Sequence, residues 1–213
     1  VGMVIQSDIN SANPGGIHYY NKLHPGMRMA RWALNKQYKK DIPYTGPIYK
    51  DYKIEGNKVL VSFEKDSLFG GLMVGSKGLA KDRKEPGKFV EPALPTPKDK
   101  LNHFRLCGQD KKWHPAEARI VGDRVEVISP HVSIPIGVQY AYSAVPEQSN
   151  LYNRAGLPAT PFALINKKFI FEEDDLEKAA ALKAKYARWT DPHYPILQVA
   201  EYYRDGVILQ RNQ

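Results

Sequence analysis

The stretch Glu117-Ala118-Arg119-Ile120-Val121-Gly122-Asp123-Arg124-Val125-Glu126-Val127-Ile128 decides the fold class. Two short alternating runs flank Gly122-Asp123, the signal of a hairpin whose strands show one face to a core. The same pattern lies upstream, where residues 49–54 and 58–63 flank Glu55-Gly56-Asn57. Residues 134–142 supply a further candidate strand. Several short strands with turn signals between them predict a β-sandwich.

Away from these strands the sequence changes character. Residues 75–100 are rich in Lys, Gly and Pro, as in Glu91-Pro92-Ala93-Leu94-Pro95-Thr96-Pro97, and predict a long exposed loop. Towards the N-terminus, residues 1–9 read as a buried strand and residues 10–16 as a Gly- and Asn-rich loop. Met27, Ala30, Arg31 and Leu34 follow at helix spacing, with Pro25 fitting the first turn, where its missing N–H costs nothing. Asp41-Ile42-Pro43 ends that helix. Strand, loop and helix form the closing unit of an α/β domain, and their apolar faces need partners that the chain does not supply next in sequence. At the other end, residues 172–189 read as a helix with acids in its first turn and Lys and Arg near its end, matching the macrodipole. A last strand or short helix is expected within residues 196–209. The predicted class is mixed and β-dominated. It has three parts: a terminal α/β strand and helix over 1–44, a β-sandwich over 45–165 with its long loop at 75–100, and a partly helical extension over 166–213.

Composition bounds the function. The 213 residues, 42% hydrophobic and 25% charged, are those of a globular protein. No apolar run approaches the roughly 20 residues of a membrane helix, so no membrane partner is expected. The opening Val1-Gly2-Met3-Val4-Ile5-Gln6 is too short for a secretory signal. With Cys107 as the single cysteine, an internal disulfide and a Cys-rich zinc site are excluded. A net charge of +8 raises nucleic acid as a partner. The lysines, however, are spread and often stand beside acids, as in Lys81-Asp82-Arg83-Lys84-Glu85, so nucleic acid is not expected.

Two histidines are candidates for chemistry. His18 sits in the loop after the first expected strand, where ligands gather in α/β folds, and is placed as a general base. His24 competes from the helix start Leu23-His24-Pro25, because a helix N-terminus lowers a histidine pKa and favours the neutral base. Two serines are set aside. Lys65-Asp66-Ser67-Leu68 echoes a Gly-Asp-Ser-Leu box without its glycine. In Gly75-Ser76-Lys77-Gly78, Val74 stands where a nucleophile elbow needs its first glycine. No phosphate-binding Gly loop and no His-x-x-x-His metal pair is present.

Four separate blocks carry a family resemblance. Gly16-Ile17-His18-Tyr19-Tyr20-Asn21-Lys22, with Gly26, Arg28 and Ala30 at the following spacing, is similar to an Ile-His-Pro-x-Asn/Asp-Lys segment. Tyr44-Thr45-Gly46-Pro47-Ile48-Tyr49 is similar to Tyr-Ser-Gly-Pro-x-Tyr. Trp113-His114-Pro115-Ala116-Glu117-Ala118 is similar to Phe-x-Pro-Ala-Glu-Ala. Asn150-Leu151-Tyr152-Asn153-Arg154-Ala155-Gly156-Leu157-Pro158-Ala159-Thr160-Pro161-Phe162 is similar to Asn-Leu-Tyr-Asn-x-x-Gly-Leu-Pro-Ala-x-Pro-Phe. In this order they resemble the C-terminal portion of the sialate O-acetylesterases, the sialic-acid-specific 9-O-acetylesterases of the SGNH-hydrolase class, over roughly residues 1–165.

The resemblance implies that His18 is the catalytic histidine. The family's proline after it is Tyr19 here, and the acid three residues before it, usual in this class, is Gly15. Asp8, the nearest upstream acid, resembles the Asp that ends this strand in relatives. His24-Pro25, with Asn21 in place of that acid, is the alternative. The family's serine and oxyanion-hole blocks are not among these residues, so the chain resembles a fragment whose partner is the missing N-terminal catalytic segment. The implied activity is removal of acetyl from an acetylated glycan or sialic acid by acyl transfer to serine and then water, without a metal or organic cofactor. The implied location is periplasmic or secreted. The rival readings are an acetylxylan esterase of the same chemistry and an accessory glycan-binding module. In the second, Trp113, Tyr140, Tyr142 and Tyr152 would stack on sugars.

Overall fold

The computed structural model describes residues 3–9, 22–77, 93–143, 146 and 149–169. The elements are α1 (Leu23–Lys36), β1 (Tyr49–Glu55), β2 (Lys58–Phe63), β3 (Leu72–Ser76), β4 (Leu94–Pro95), β5 (Phe104–Gly108), β6 (Trp113–Pro115), β7 (Glu117–Val121), β8 (Arg124–Ile128), β9 (Pro135–Tyr140), β10 (Leu151–Asn153), β11 (Phe162–Ile165) and β12 (Lys168–Phe169). The chain divides into two units, residues 1–168 and 169–213, and the description below concerns the first.

Turn chemistry closes both local hairpins. Glu55 pairs with Lys58 across Gly56-Asn57, and Val121 pairs with Arg124 across Gly122-Asp123. Gly56 and Gly122 lie at φ of 64° and 59°, the sign that a two-residue hairpin loop with glycine first demands. The hairpins join where β2 pairs antiparallel with β8, in the register Val59↔Val127 and Val61↔Val125. The result is a four-stranded sheet in the order β1-β2-β8-β7. A five-stranded sheet, β12-β11-β9-β5-β6, and a three-stranded sheet, β10-β3-β4, complete the described β structure. The mixed, β-dominated class read from the alternation is the observed one.

The core lies between the two larger sheets. Val59, Val61, Phe63, Val125 and Val127 face Phe104, Leu106, Val138, Tyr140, Phe162 and Leu164 in one buried cluster. The Phe162 ring gathers Tyr49 at 4.7 Å, Tyr140 at 6.1 Å, and Phe63 and Phe104 at 6.5 Å. Each such fully buried side chain contributes about 1.5–3 kcal/mol. An exposed ion pair such as Lys53–Glu55 adds about 0–1 kcal/mol, so burial holds the sandwich together. Tyr52 ties the faces by donating to the Ile136 carbonyl at 3.0 Å and accepting from the Lys167 N–H at 2.9 Å.

Three expectations need correction or restriction. Residues 3–9 form no strand. A strand needs a neighbour's backbone groups, and here the Ile5 carbonyl is taken by the Arg28 side chain at 2.6 Å. The loop expected over 75–100 is shorter, because Gly75 and Ser76 belong to β3 and pair with Pro95 and Leu94 of β4. Residues 78–92 lie outside the described residues, as do those expected to form elements at 172–189 and 196–209.

Candidate active site

Helix α1 wears its sequence pattern inside out. His24, Arg28, Trp32 and Lys36 recur at i+4 and share one face. That face meets residues 5–8 and Tyr44. His24 and Arg28 are buried, and Trp32 packs edge-on against Tyr44 at 4.8 Å. Lys36 Nζ lies 4.0 Å over the Tyr44 ring and donates to its hydroxyl at 2.9 Å. Of the row read at helix spacing, Met27 and Leu34 look outward, and Leu23, Met29 and Tyr38 are exposed with them.

The polar face is held by a buried ion pair. Arg28 Nη1 donates to Asp8 Oδ1 at 2.7 Å and Nη2 to Oδ2 at 2.8 Å, with side chains only 4% and 1% exposed. The two parallel bonds are the strong, directional form of this contact, and they offset the cost of burying both charges. The Tyr152 hydroxyl donates to the same carboxylate at 3.3 Å. Burial and then the Asp8 charge push the Tyr152 phenol far above its ordinary pKa, so it stays a donor. Tyr140, also kept protonated by burial, accepts from the Leu151 N–H at 3.0 Å beside it.

Asn153 is the second node. Fully buried, its Nδ2 donates to the carbonyls of Thr45 at 2.8 Å and Ser67 at 2.9 Å, and its Oδ1 accepts from the Leu157 N–H at 3.1 Å. Gly46 passes so close to Pro158 that a Cβ there would collide with the Pro158 carbonyl. Asp8, Arg28, Thr45-Gly46 and residues 152–158 thus meet, although they come from sequence blocks far apart.

These nodes are anchors. Both Asp8 oxygens and both terminal Arg28 nitrogens are used within the fold, which leaves neither group to attack or protonate a substrate. Their effect is positional. Asp8 stands just before residues 10–21 and Arg28 just after them, so the ion pair ties the two flanks of that segment. His18, the histidine expected to be catalytic, and Asn21 lie within it and outside the described residues. His24 is described, and at 1% exposure it faces the interior rather than a substrate.

The other candidates take structural places. Ser67 Oγ donates to the Glu64 carbonyl at 2.6 Å and accepts from the Ile48 N–H at 2.9 Å, which fixes the turn at Lys65–Ser67. The Cys107 thiol is buried, and burial raises its pKa. Of the aromatic residues considered for sugar stacking, Tyr140 and Tyr152 are core residues, while Tyr142 is exposed and Trp113 half-buried. Among the described residues no group of three or more His, Cys, Asp or Glu side chains could hold a metal ion. Among the described residues no helix is long and apolar enough to cross a membrane. Sequence reading missed the Arg28–Asp8–Tyr152 node. The available signal was an acid, a base and a phenol each lying in a stretch that resembles the family.

Comparison with known proteins places these features. No protein-family model matches the chain, and no curated protein matches it. Among solved structures, the chain is similar to a carbohydrate acetylesterase from Xanthomonas citri, with 32% sequence identity and a TM-score of 0.59. The match covers 74% of this chain and 31% of that one, so the chain spans about a third of the neighbour's length. The relation is to a carbohydrate esterase, and it leaves the sugar unspecified.

Proposed function

We propose that this chain is the histidine-bearing and β-sandwich part of a carbohydrate esterase that removes acetyl groups from a sugar by serine-type acyl transfer. The likeness at 32% identity to a carbohydrate acetylesterase carries this reading. The sequence blocks favour acetylated sialic acid as the substrate, with acetylated xylan as the alternative, and a periplasmic or secreted location.

In this reading His18 is the base. It takes the proton of a serine hydroxyl as that oxygen bonds to the acetyl carbonyl carbon. It then returns the proton to the sugar oxygen as the ester C–O bond breaks. Water repeats the sequence on the acyl-serine and releases acetate. The serine and the oxyanion donors come from an α/β portion that is not among these residues. The outward row Leu23, Met27 and Leu34 of α1 supports a seat for that portion, since an apolar ridge of this kind otherwise stands in water.

The test is to join this chain to the serine-bearing portion and assay release of acetate from acetylated sialic acid and acetylated xylan. His18→Ala is expected to lower kcat on the order of 10³-fold or more. His24→Ala is expected to destabilise the fold and leave kcat of the folded enzyme within about tenfold. A joined enzyme indifferent to His18→Ala would overturn the assignment.

A further inference from the structure

A cavity of about 670 Å³ opens on the β structure, within the size range of about 300–1,000 Å³ typical of small-molecule sites. Its lining is in part apolar, with Val74 of β3, Leu101, and Ile120 of β7. Its charged lining is unequal, with Lys100, Arg119 and Arg154 against the single acid Asp99. The cations are not equivalent. Arg119 is committed to Glu126 through bonds of 2.7 Å and 2.6 Å. Lys100 lies 3.8 Å from Glu117, with both side chains in water. Arg154 forms no ion pair among the described residues; its stem lies along Gly70 and Gly71, where the Asp123 carboxylate also approaches Gly71. Its backbone is fixed independently, the N–H donating to the Gly71 carbonyl at 2.9 Å. Arg154 is exposed, and a guanidinium at the edge of an apolar lining suits a planar carboxylate attached to a body with an apolar face.

We propose that this cavity is a binding site for a ring-borne carboxylate, with Arg154 as the carboxylate holder and Val74, Leu101 and Ile120 as the bed for the ring. Sugar acids are the natural examples if the carbohydrate-esterase reading holds, and the inference rests on that reading only for this choice. The site is separate from His18 and needs no esterase activity to be tested.

The experiment is a titration of the full chain, followed through its methyl resonances by NMR. The probes are glucuronate, N-acetylneuraminate, neutral glucose and cyclohexanecarboxylate. The expected result is shift changes centred on Val74, Leu101 and Ile120 with either sugar acid below about 10 mM, and at least about tenfold weaker binding of glucose. Arg154→Gln should weaken the acids about tenfold and leave the glucose response unchanged, while Arg154→Lys retains part of the preference. Cyclohexanecarboxylate binding as well as the sugar acids would uphold the carboxylate site and assign it to organic acids generally. Shifts elsewhere, equal response to glucose and glucuronate, insensitivity to Arg154→Gln, or no response to any probe would each overturn the proposal. Esterase activity in the joined enzyme together with a silent cavity would discard this site and keep the proposed function.

Discussion

Arg28 grips Asp8 through two parallel hydrogen bonds of 2.7 Å and 2.8 Å, both out of contact with water. A buried pair is costly to break on one side only, because the surviving charge stays buried without its partner. Arg28→Ala is therefore expected to destabilise the fold by about 3–5 kcal/mol in urea denaturation. The double change Asp8→Leu with Arg28→Met removes both charges at similar volume and should recover part of the loss, the remainder being the Tyr152 hydroxyl and the Ile5 carbonyl deprived of these partners. A single variant as stable as the parent would mean that the pair does not hold residues 3–9 in solution.

Asn153 offers a sharper chemical test. Its amide donates twice and accepts once, with every partner a backbone group. Asn153→Ala strands two carbonyls and an N–H, at about 1–3 kcal/mol each before relaxation. Asn153→Asp should be worse than alanine, because a carboxylate sets an acceptor and a charge against the Thr45 and Ser67 carbonyls. Thermal melts of the two variants decide the order. An aspartate variant more stable than the alanine one would refute the assigned orientation of the amide.

Alkaline stability follows from the buried tyrosines. Burial raises the phenols of Tyr49, Tyr52, Tyr140 and Tyr152 above their ordinary value. Below about pH 10 both folded and unfolded chains keep these protons, and stability is unaffected. Above it the unfolded chain releases protons that the folded chain retains, so stability falls as pH rises. Phenolate absorbance should then appear in two stages, the exposed tyrosines first and the buried ones together with loss of circular dichroism. All 13 tyrosines ionising near pH 10 without unfolding would contradict the burial.

The outward row of α1 makes a split prediction. Met27→Lys with Leu34→Lys changes only exposed positions, so this chain should keep its stability within about 0.5 kcal/mol per substitution. The same variant should associate at least about tenfold more weakly with the serine-bearing portion in a pull-down or titration, having placed two charges on the apolar seat. Unfolding of the chain by these lysines would mean that the row is buried within the chain itself.

What the sequence could disclose depended on the range of the interaction. The hairpins at 49–63 and 117–128 were legible because their turn glycines and alternation act over a few residues. The helix was legible for the same reason, and so was the lack of partners for its apolar face. What stayed hidden is that the buried face is a polar one, where Arg28 meets an acid 20 positions away. Residues 3–9 were misread because Val4 and Ile5 have strand propensity, whereas a strand also needs a backbone neighbour. The cavity was invisible because β3, the segment around Pro97 and β7 come together only in the fold. His18 was singled out by spacing and resemblance, and the described residues leave that assignment to experiment.

The four-stranded sheet is two local hairpins laid side by side, and that construction imposes a folding order. Each hairpin closes through a two-residue loop, an event of about 1–10 μs. The seam Lys58↔Ile128 to Ser62↔Arg124 must wait until a long intervening stretch of chain has been gathered in. Until it closes, β2 and β8 each present an open edge rich in valine, the kind of surface that captures another chain instead of its intended neighbour. Refolding yield should consequently fall with protein concentration, and substitutions along that seam should slow folding more than substitutions at the outer strands β1 and β7.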